Sequence, residues 1–589
     1  MARRSVDPEF FGLHQGGVSC SIYISNAYLL LGRWIFPATS GLGNNMDPII
    51  LIAALAAGVA SHLAFFRAGE HHLYGARYIL AALSAFAIST TVLSHLYELS
   101  LRAATDQSLT IALCYFAGLY SSLVIYRLAF HPLKRFPGPV GCKISSAWFA
   151  TYLRRHDAFR QLTTLHNKHG NFLRIGSNDL SITHPKAVQV IYGLGTKCRK
   201  ADWYDLTYPR VSLQSTRDDA LHSRWRRVWS TAFGDRHLRD YEERMAQYRA
   251  RLINVLEDSA GQSLDMTRWF ANYSFDVMGE LAFGRSFDML ETSVEHETIK
   301  LLTAGSAALS SKLPMWFFRI MVGIPGAAKS WWAFLEYCIN QLDNRIQRKG
   351  EGDQKDILSS LLKPFDGNDP KGFDRGLLEG DTQLIIVAGS DTSSTTLATI
   401  FRYLAQYPHH ISLLRAELDL LHRNELGDYN FIELSNLNHL NGVINEALRL
   451  FPPVPTILPR LTPPEGLDID GTFIPGNTTV FCPQFVISRG SESYVSPNDF
   501  IPERWYSQLD LIRDSSGYAP FSTGNYGCVG RSLALLNIRL VVARIVADFD
   551  IRSTPAENYL TYDEKMKEYF TLIPPPLNLS FVKRRVTAI

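Results

Sequence analysis

The chain has 589 residues, of which 46% are hydrophobic and 20% are charged. This balance is typical of a globular protein with a large core, and it excludes a disordered or collagen-like chain. The net charge of +3 comes from 59 basic and 56 acidic residues without a charged tail, so no nucleic-acid partner is expected. The seven cysteines are scattered and form no CxxC pair, which argues against a disulfide framework and a zinc knuckle.

Residues 1–45 contain a weak apolar patch but no clean signal-peptide pattern. Met46 then opens the segment MDPIILIAAL, which has the form of a natural start. We expect residues 1–45 to be an extension, either a poorly ordered tail or a consequence of start-site choice. Amino-terminal sequencing of the native protein would decide between a start at residue 1 and a start at Met46.

Residues 46–130 are predicted to be a membrane region with three transmembrane helices. Three apolar runs cover residues 49–66, 78–97 and 108–126, and each lacks Asp, Glu, Lys and Arg. Each run is close to the roughly 20 residues with which a helix crosses a bilayer. The alternative is a helix buried in a soluble core.

The basic residues beside these runs predict the orientation. Arg67 and Arg77 flank the loop after the first run, and Arg127, Lys134 and Arg135 follow the third. Because basic residues stay on the cytosolic side, the amino terminus is predicted to be lumenal and the rest of the chain cytosolic.

The remainder of the chain is predicted to be a hinge followed by one large domain. Residues 131–144 contain His131-Pro132 and FPGP, which indicates a stiff proline-rich hinge. Residues 145–589 are mostly helical in pattern, with short strand-like pieces near residues 171–183 and 478–486. The fold class is therefore mainly α with small β-sheets. No GxGxxG after a strand and no GxxxxGK[ST] motif occurs, so no nucleotide-binding domain is predicted.

The segment PFSTGNYGCVGRS carries the sharpest signal in the sequence. Phe521, Gly524, Cys528 and Gly530 form the pattern FxxGxxxCxG directly before an amphipathic helix. A cysteine at a helix start lies near free N–H groups and the positive end of the helix dipole, which both favour the thiolate. Flanking glycines let a flat ligand approach the backbone. A single thiolate suits haem iron, and a buried structural cysteine is the alternative.

This loop resembles the haem-ligand loop of the cytochrome P450 superfamily of haem-thiolate monooxygenases, and further motifs extend the resemblance over roughly residues 130–580. The resemblance implies the cytochrome P450 fold, with Cys528 as the metal ligand of haem b (iron protoporphyrin IX). The multi-span anchor is similar to that of membrane-bound fungal members, which often act in secondary metabolism. It implies a location in the endoplasmic reticulum membrane with a cytosolic catalytic domain.

The segments NGVINEALRL and PERW resemble the ExxR and PERF motifs of that family. They supply Glu446, Arg449 and Arg504. The resemblance implies that these three side chains form a buried ion network behind the haem loop. A solvated pair on a helix surface is the alternative reading of an ExxR motif taken alone.

The segment AGSDT resembles the oxygen-binding helix of the family. It implies that Thr392 hydrogen-bonds to dioxygen and that Asp391 relays protons inward. The glycine of this motif, Gly389, is expected to leave room for dioxygen and to permit a bulge in the helix. The alternative is a helix interior in which hydroxyl groups bond back to carbonyls.

Three further residues match family positions that bind the haem propionates. They are His222 and Arg226 in HSRWRRVWSTAF, and Arg460 in PPVPTILPR. Arginine forms directional, paired hydrogen bonds with carboxylates. The sequence departs from the family at Tyr526, where Arg or His is usual, so one propionate contact is expected to be lost or replaced by a weaker phenol bond.

The resemblance implies a monooxygenase that inserts one atom of O2 into a lipophilic small molecule. Electrons are expected from a separate NADPH–cytochrome P450 reductase, because this chain contains no evident flavin module. An acidic partner could meet Arg531, Arg539 and Arg544. Residues 312–334 are rich in Trp and Phe, and the resemblance implies that they cover the pocket and contact membrane lipid. A buried pair of helices is the alternative for this segment. The family positions implied to line the pocket are Leu384, Val387, Ile457, Leu458 and Phe570.

Two other functions remain open from the sequence. A family member that uses peroxide directly or rearranges peroxides often lacks the acid–threonine pair, which is present here as Asp391 and Thr392. A non-catalytic haem-binding membrane protein would keep Cys528 but would need neither Thr392 nor a reductase.

Overall fold

The computed structural model describes residues 46–153, 156–306, 310, 312–348, 356–365, 373–456, 458–554 and 559–584. The expected extension, residues 1–45, lies outside the described residues. The contacts divide the chain into two compact units, one ending at Phe130 and the other beginning at His131.

The first unit contains three long helices: α1 (Pro48–Ser61), α2 (Gly75–Leu96) and α3 (Leu101–Ile125). Short π-helical turns extend α1 to Phe66 and α3 to Phe130. All three are long and apolar enough to cross a membrane. The third helix begins earlier than its apolar run, because the side chain of Ser100 accepts a hydrogen bond from the Ala103 N–H and caps it there.

Small residues let α1 and α3 approach each other closely. A Cβ on Gly58 would lie 2.0 Å from the Tyr115 carbonyl oxygen, and a Cβ on Gly118 would lie 2.1 Å from the Leu55 carbonyl oxygen. Such glycine contacts are typical of helix pairs in membranes.

The second unit is mostly helical. Its helices are α4 (Val140–Ile144), α5 (Ala158–His169), α6 (Ala187–Tyr192), α7 (Asp219–Thr231), α8 (Asp235–Asp258), α9 (Met266–Phe283), α10 (Met289–Thr292), α11 (Glu297–Ser306), α12 (Met315–Gly323), α13 (Lys329–Gln347), α14 (Ile357–Leu362), α15 (Arg375–Gln406), α16 (His409–Leu418), α17 (Phe431–Ser435), α18 (Asn438–Leu450), α19 (Gln484–Ile487), α20 (Arg531–Asp548) and α21 (Tyr559–Lys565).

Short strands complete this unit. They are β1 (Phe172–Arg174), β2 (Asp179–Ile182), β3 (Arg199–Lys200), β4 (Ser263–Asp265), β5 (Arg460–Leu461), β6 (Leu467–Ile469), β7 (Thr472–Ile474), β8 (Thr479–Phe481), β9 (Phe549–Ser553), β10 (Lys567–Glu568), β11 (Leu572–Ile573) and β12 (Asn578–Lys583). They confirm the predicted fold class, which is mainly α with small sheets.

The largest sheet has the strand order β1-β2-β8-β5-β3, in which only β2 and β8 are parallel. A second sheet has the order β4-β12-β9, and two further strand pairs are β6-β7 and β10-β11. In the largest sheet, Lys200 of β3 lies directly opposite Arg460 of β5. This register places two cations side by side.

Helix α15 crosses the core of the second unit and packs against α9, α13, α18 and α20. It is apolar enough to cross a membrane, yet 67% of its most apolar stretch is buried within the protein. The helix is therefore a core element, and it carries the segment AGSDT into the middle of the unit.

The predicted hinge, residues 131–144, packs against the second unit. Leu133 and Phe136 are buried in a hydrophobic cluster with residues of β2 and β8, and Cys142 is buried in a neighbouring cluster. These residues therefore belong to the body rather than to a free linker.

Candidate active site

A cavity of about 440 Å³ lies between helix α15 and the loop that precedes α20. The loop contributes Phe521 and Cys528 to its wall, and α15 contributes Asp391 and Thr392. The structure thus brings the cysteine motif and the acid–threonine pair to one enclosed space, although more than 130 residues separate them in sequence.

Cys528 lies three residues before the start of α20, and its side chain lines the cavity. Its N–H donates to the carbonyl oxygen of Phe521 at 2.8 Å, which closes the loop. Burial raises the pKa of the thiol, while the N–H groups of Gly530 and Arg531 and the charge of Arg226 act to lower it. The N–H groups at the helix start therefore act on the thiol in the predicted direction, and burial at the cavity wall opposes them.

Gly524 is required by the backbone of this loop. Its φ is +66°, and a Cβ there would lie 2.2 Å from the Tyr192 carbonyl oxygen. Gly530 has no such constraint, since the nearest heavy atom to an added Cβ would be in the Phe233 ring at 3.7 Å. The free space at Gly530 adjoins the cavity, which it lines.

On the opposite wall, the Thr392 hydroxyl donates to the Ala388 carbonyl oxygen at 2.7 Å. Burial raises the pKa of the neighbouring Asp391 to about 7. Helix α15 is a continuous α-helix through this segment and has no bulge at Gly389. A Cβ on Gly389 would lie 2.5 Å from the side chain of Met278, which shows that this glycine permits the close packing of α9.

Three cations surround the cavity near Cys528. Arg226 donates to the Gly527 carbonyl oxygen at 2.7 Å, and Arg460 donates to the Tyr204 hydroxyl at 2.6 Å. Lys200 donates to the carbonyl oxygens of Leu213 and Thr216, each at 3.0 Å.

His222 is buried beside these cations. Burial and the charges of Lys200, Arg226 and Arg460 lower its pKa to about 3, so its imidazole is neutral at pH 7. His222, Arg226 and Arg460 all line this cavity, so the structure brings together the three residues that the sequence predicted as propionate partners. His222 and Arg460 are buried, and Arg226 is half-buried. Lys200 was not predicted from the sequence. The feature that could have indicated it is a charged residue in a short strand, β3.

Tyr526 takes part in this cluster in an unexpected way. Its ring lies 4.8 Å from the Lys200 ammonium and 4.8 Å from the Arg460 guanidinium, in cation–π geometry. Its hydroxyl donates to the carboxylate of Asp219. Of the two outcomes expected at Tyr526, this contact favours the loss of one propionate contact over a phenol bond to it.

The residues around this cavity fit a haem. Lys200 and Arg460 lie opposite each other in the sheet, and like charges in that register repel unless an anion lies between them. Nε of Arg460 is buried without a hydrogen-bond partner among the described residues. Two propionate groups would supply the missing negative charge, and the Cys528 thiol offers the single sulfur ligand that haem iron accepts.

The ion network forms behind the cysteine loop. Glu446 accepts hydrogen bonds from Arg449 at 2.8 and 2.9 Å, from Arg504 at 2.9 Å and from the Trp505 indole at 2.9 Å. The side chains of Glu446, Arg449 and Arg504 are 0% exposed. The pair Glu446–Arg449 is therefore buried and is not a solvated pair on a helix surface.

Four of the five residues predicted to form the substrate pocket line the cavity: Leu384, Val387, Leu458 and Phe570. The fifth, Ile457, lies outside the described residues. The ring of Phe570 stacks on Trp203 with 5.4 Å between the centroids. Trp203 also lines the cavity and was not predicted from the sequence.

A helical fold with one cysteine before a helix, facing an acid–threonine pair across a cavity, defines the class of haem-thiolate oxygenases. Residues 137–581 match the Cytochrome P450 family, and the chain belongs to this family. The solved structure of the cytochrome P450DA heme domain has a similar fold, with a TM-score of 0.63 and 19% identity over 74% of this chain and 95% of that one.

Relatives of this chain include several fungal monooxygenases. Cytochrome P450 monooxygenase notG' of Aspergillus versicolor is 45% identical over 527 residues, which cover 90% of this chain and 96% of the relative. Tryprostatin B 6-hydroxylase of Aspergillus fumigatus is 43% identical over 526 residues, which cover 87% of this chain and 93% of the relative. The chain is therefore a cytochrome P450 monooxygenase that carries haem iron, uses O2 and a redox partner, and binds a small-molecule substrate.

Proposed function

We propose that this chain is a membrane-anchored monooxygenase that inserts one atom of O2 into a lipophilic secondary metabolite. The single observation that carries the proposal is the shared cavity of Cys528, Asp391 and Thr392. The cofactor is haem b, and its electrons come from an NADPH–cytochrome P450 reductase. Residues 46–130 anchor the enzyme in the endoplasmic reticulum membrane, and residues 145–589 form its cytosolic catalytic domain.

When bound, the haem supplies the activation of O2, and the protein supplies binding, orientation and protons. Cys528 provides the sulfur ligand. Lys200, Arg226 and Arg460 bind the propionate carboxylates through charge-assisted hydrogen bonds. Neutral His222 adds a further hydrogen-bonding group on the same side. Phe521, Gly524 and Gly530 shape the loop that brings the sulfur to the cavity.

Asp391 and Thr392 handle the protons of the reaction. Because the pKa of Asp391 is raised to about 7, its carboxyl group is protonated in a substantial fraction of molecules at neutral pH. The Thr392 hydroxyl donates to the Ala388 carbonyl oxygen, and its own oxygen is able to accept a hydrogen bond from a proton donor in the cavity. Together they form a short route for a proton into the cavity.

The substrate is proposed to be a lipophilic metabolite of the chemical type that the relatives accept. Leu384, Val387, Leu458 and Phe570 give the cavity an apolar wall that excludes water. A relative with 43% identity is named for the 6-hydroxylation of tryprostatin B, so tryprostatin B and its close analogues are the first compounds to assay.

The contacts made by the arginines near α20 indicate which of them is available to bind the reductase. Arg544 forms ion pairs with Asp428 and Asp548, and Arg539 donates to Asn441. Arg531 is exposed at the helix start. Of the three arginines expected to meet an acidic partner, Arg531 is therefore the one proposed to do so.

The carbon monoxide difference spectrum of reduced membranes tests the haem-thiolate assignment. We expect the wild-type chain and Cys114→Ala, a control in α3, to give the thiolate-type band, and Cys528→Ala to lose it. Persistence of that band in Cys528→Ala would contradict the assignment.

Turnover assays then separate the remaining functions. Product formed with NADPH, reductase and O2 supports the monooxygenase proposal. Product formed only with added peroxide would indicate a peroxide-using or rearranging enzyme. A bound haem without turnover under either condition, across a panel that includes tryprostatin B, would favour a non-catalytic haem-binding protein.

A further inference from the structure

Two buried histidines and a glutamate meet outside the lining of the active-site cavity. His410 lies on α16, His439 on α18 and Glu503 in the turn Pro502–Trp505. One nitrogen or oxygen atom from each lies within 4.8 Å of the corresponding atoms of the other two. Nδ1 of His410 is 3.7 Å and Nδ1 of His439 is 4.0 Å from Oε1 of Glu503.

Both imidazoles have a ring nitrogen that the protein leaves unpartnered. His410 is 2% exposed and His439 is 3% exposed. Nδ1 of His410 and Nε2 of His439 have no hydrogen-bond partner among the described residues. Buried polar atoms are normally hydrogen-bonded, so two orphaned nitrogens in one cluster call for a ligand that accepts lone pairs.

Neighbouring groups hold these rings in place. The Glu417 carboxylate accepts hydrogen bonds from the N–H groups of His439 at 2.7 Å and Leu440 at 3.0 Å, which fixes the start of α18 beside α16. The Tyr506 hydroxyl lies 2.9 Å from Nδ1 of His439, and the Phe500 ring packs edge-on against His410. Supporting contacts of this kind orient the side chains that bind metals.

We propose that His410, His439 and Glu503 bind a divalent zinc ion. Two imidazoles and one carboxylate are a donor set that zinc accepts, with water in the fourth position. Nitrogen and oxygen ligands at about 2.0–2.2 Å from zinc lie about 3.3–3.6 Å apart in a tetrahedron. The separation of 3.7 Å between Nδ1 of His410 and Oε1 of Glu503 needs only a small contraction to reach this geometry. Because the Tyr506 hydroxyl contacts Nδ1 of His439, the orphaned Nε2 is the His439 nitrogen proposed to bind zinc.

The site would tie together elements that carry the ion network. Helix α18 also bears Glu446 and Arg449, and the turn with Glu503 also bears Arg504. A zinc ion bound to α16, α18 and this turn therefore stabilises the native arrangement behind the haem loop. The expected results are a higher unfolding temperature and slower haem loss when zinc is present, since a ligand that binds only the folded state stabilises it.

The experiment uses the full-length, haem-loaded chain in detergent, stripped of metals with EDTA and dialysed against micromolar Zn²⁺. Zinc and iron are measured in the same sample by mass spectrometry, so iron reports the amount of folded haem protein. We expect a zinc-to-iron ratio near one for the wild type. His409→Ala is the matched control, because His409 is the exposed neighbour of His410 and should keep that ratio.

His410→Ala and Glu503→Gln are expected to lower the ratio at least tenfold. Glu503→Gln is nearly isosteric and partly exposed, so it tests the site even if His410→Ala loses haem. Zinc X-ray absorption of the wild type should show nitrogen and oxygen ligands with imidazole scattering. A wild-type ratio near zero, a ratio unchanged in Glu503→Gln, or sulfur ligation of the zinc would overturn the proposal.

Discussion

The Thr392 hydroxyl donates to the Ala388 carbonyl at 2.7 Å at the cavity wall, and Thr399 lies two turns further along the same helix with an equivalent bond to Thr395 at 2.8 Å. We expect Thr392→Ala to lower product formed per NADPH consumed by tenfold or more, because a positioned proton-transfer group contributes about 10²–10⁴-fold. Thr399→Ala, which removes a buried hydroxyl away from the cavity, should change this ratio less than twofold. Equal losses in the two variants would assign Thr392 a purely structural role.

The carboxyl group of Asp391 should give the reaction a distinct pH dependence. Its folded pKa is about 7, raised from 3.8 by burial, so the protonated form is abundant below pH 7 and declines as the pH rises through 7. Product formed per NADPH should therefore fall above pH 7 in the wild type. In Asp391→Asn the ratio should be low and nearly flat from pH 6 to 8, and a wild-type decline retained in this variant would contradict the assignment.

The raised pKa of Asp391 also makes the free energy of unfolding depend on pH. A carboxyl whose folded pKa is raised binds protons more tightly in the folded state than in the unfolded state. Its favourable contribution is present below about pH 4 and is lost as the pH rises to about 7. Replacing Asp391 by Asn should therefore flatten the fall in unfolding temperature between pH 5 and pH 8.

At the level of elements, the Glu446 network joins α18 to the turn Pro502–Trp505. Removing one partner leaves an uncompensated buried charge, which costs about 3–5 kcal/mol. We expect Arg449→Ala to lose haem and most of the folded protein, as measured by the ratio of haem absorbance to protein. Arg375→Ala is the control, because its ion pairs with Asp343 and Glu379 are partly exposed and such pairs contribute about 0–1 kcal/mol each. Normal haem content in Arg449→Ala would contradict this role for the network.

Sequence motifs were sufficient to predict which segments meet, because each motif fixes a local geometry and their order along the chain defines the fold. The positive φ of Gly524 could be expected because glycine adopts this conformation readily. The ExxR spacing placed Glu446 and Arg449 on one face of α18. What the motifs could not predict depends on pairs far apart in sequence. The opposition of Lys200 and Arg460 comes from strand register, and the contact of Tyr526 with Asp219 comes from the approach of α7 to the loop.

The thiol of Cys528 shows the same limit, because local and tertiary effects act on its pKa in opposite directions. The helix start and its N–H groups are local features that a sequence reveals, whereas burial depends on everything that packs around the loop. Gly389 is similar, since the motif suggested room for a ligand and the structure shows the side chain of Met278 from α9 against it. Local chemistry was predictable, and the balance between local and tertiary effects was not.

At the scale of the whole molecule, the three helices of the first unit predict a defined topology in the membrane. The loop after α1 carries Arg67 and is followed by Arg77 in the first turn of α2, whereas the loop between α2 and α3, residues 97–100, carries no basic residue and is followed only by Arg102 in the first turn of α3. The positive-inside rule therefore places the first loop on the cytosolic side and the second in the lumen. The basic residues after α3 favour the same arrangement, with the second unit cytosolic.

Single cysteines in the two loops test this topology in sealed microsomes. Ala68→Cys lies in the first loop and Glu98→Cys in the second, and both positions are exposed. A membrane-impermeant maleimide should label Ala68→Cys in intact vesicles, and Glu98→Cys only after the vesicles are opened, with the wild-type chain reporting background from its own cysteines. Labelling of Glu98→Cys in intact vesicles would show that residues 97–100 face the cytosol. The three helices would then either insert in the opposite orientation or fail to cross the bilayer, and the cytosolic placement of the active site would need a different anchor.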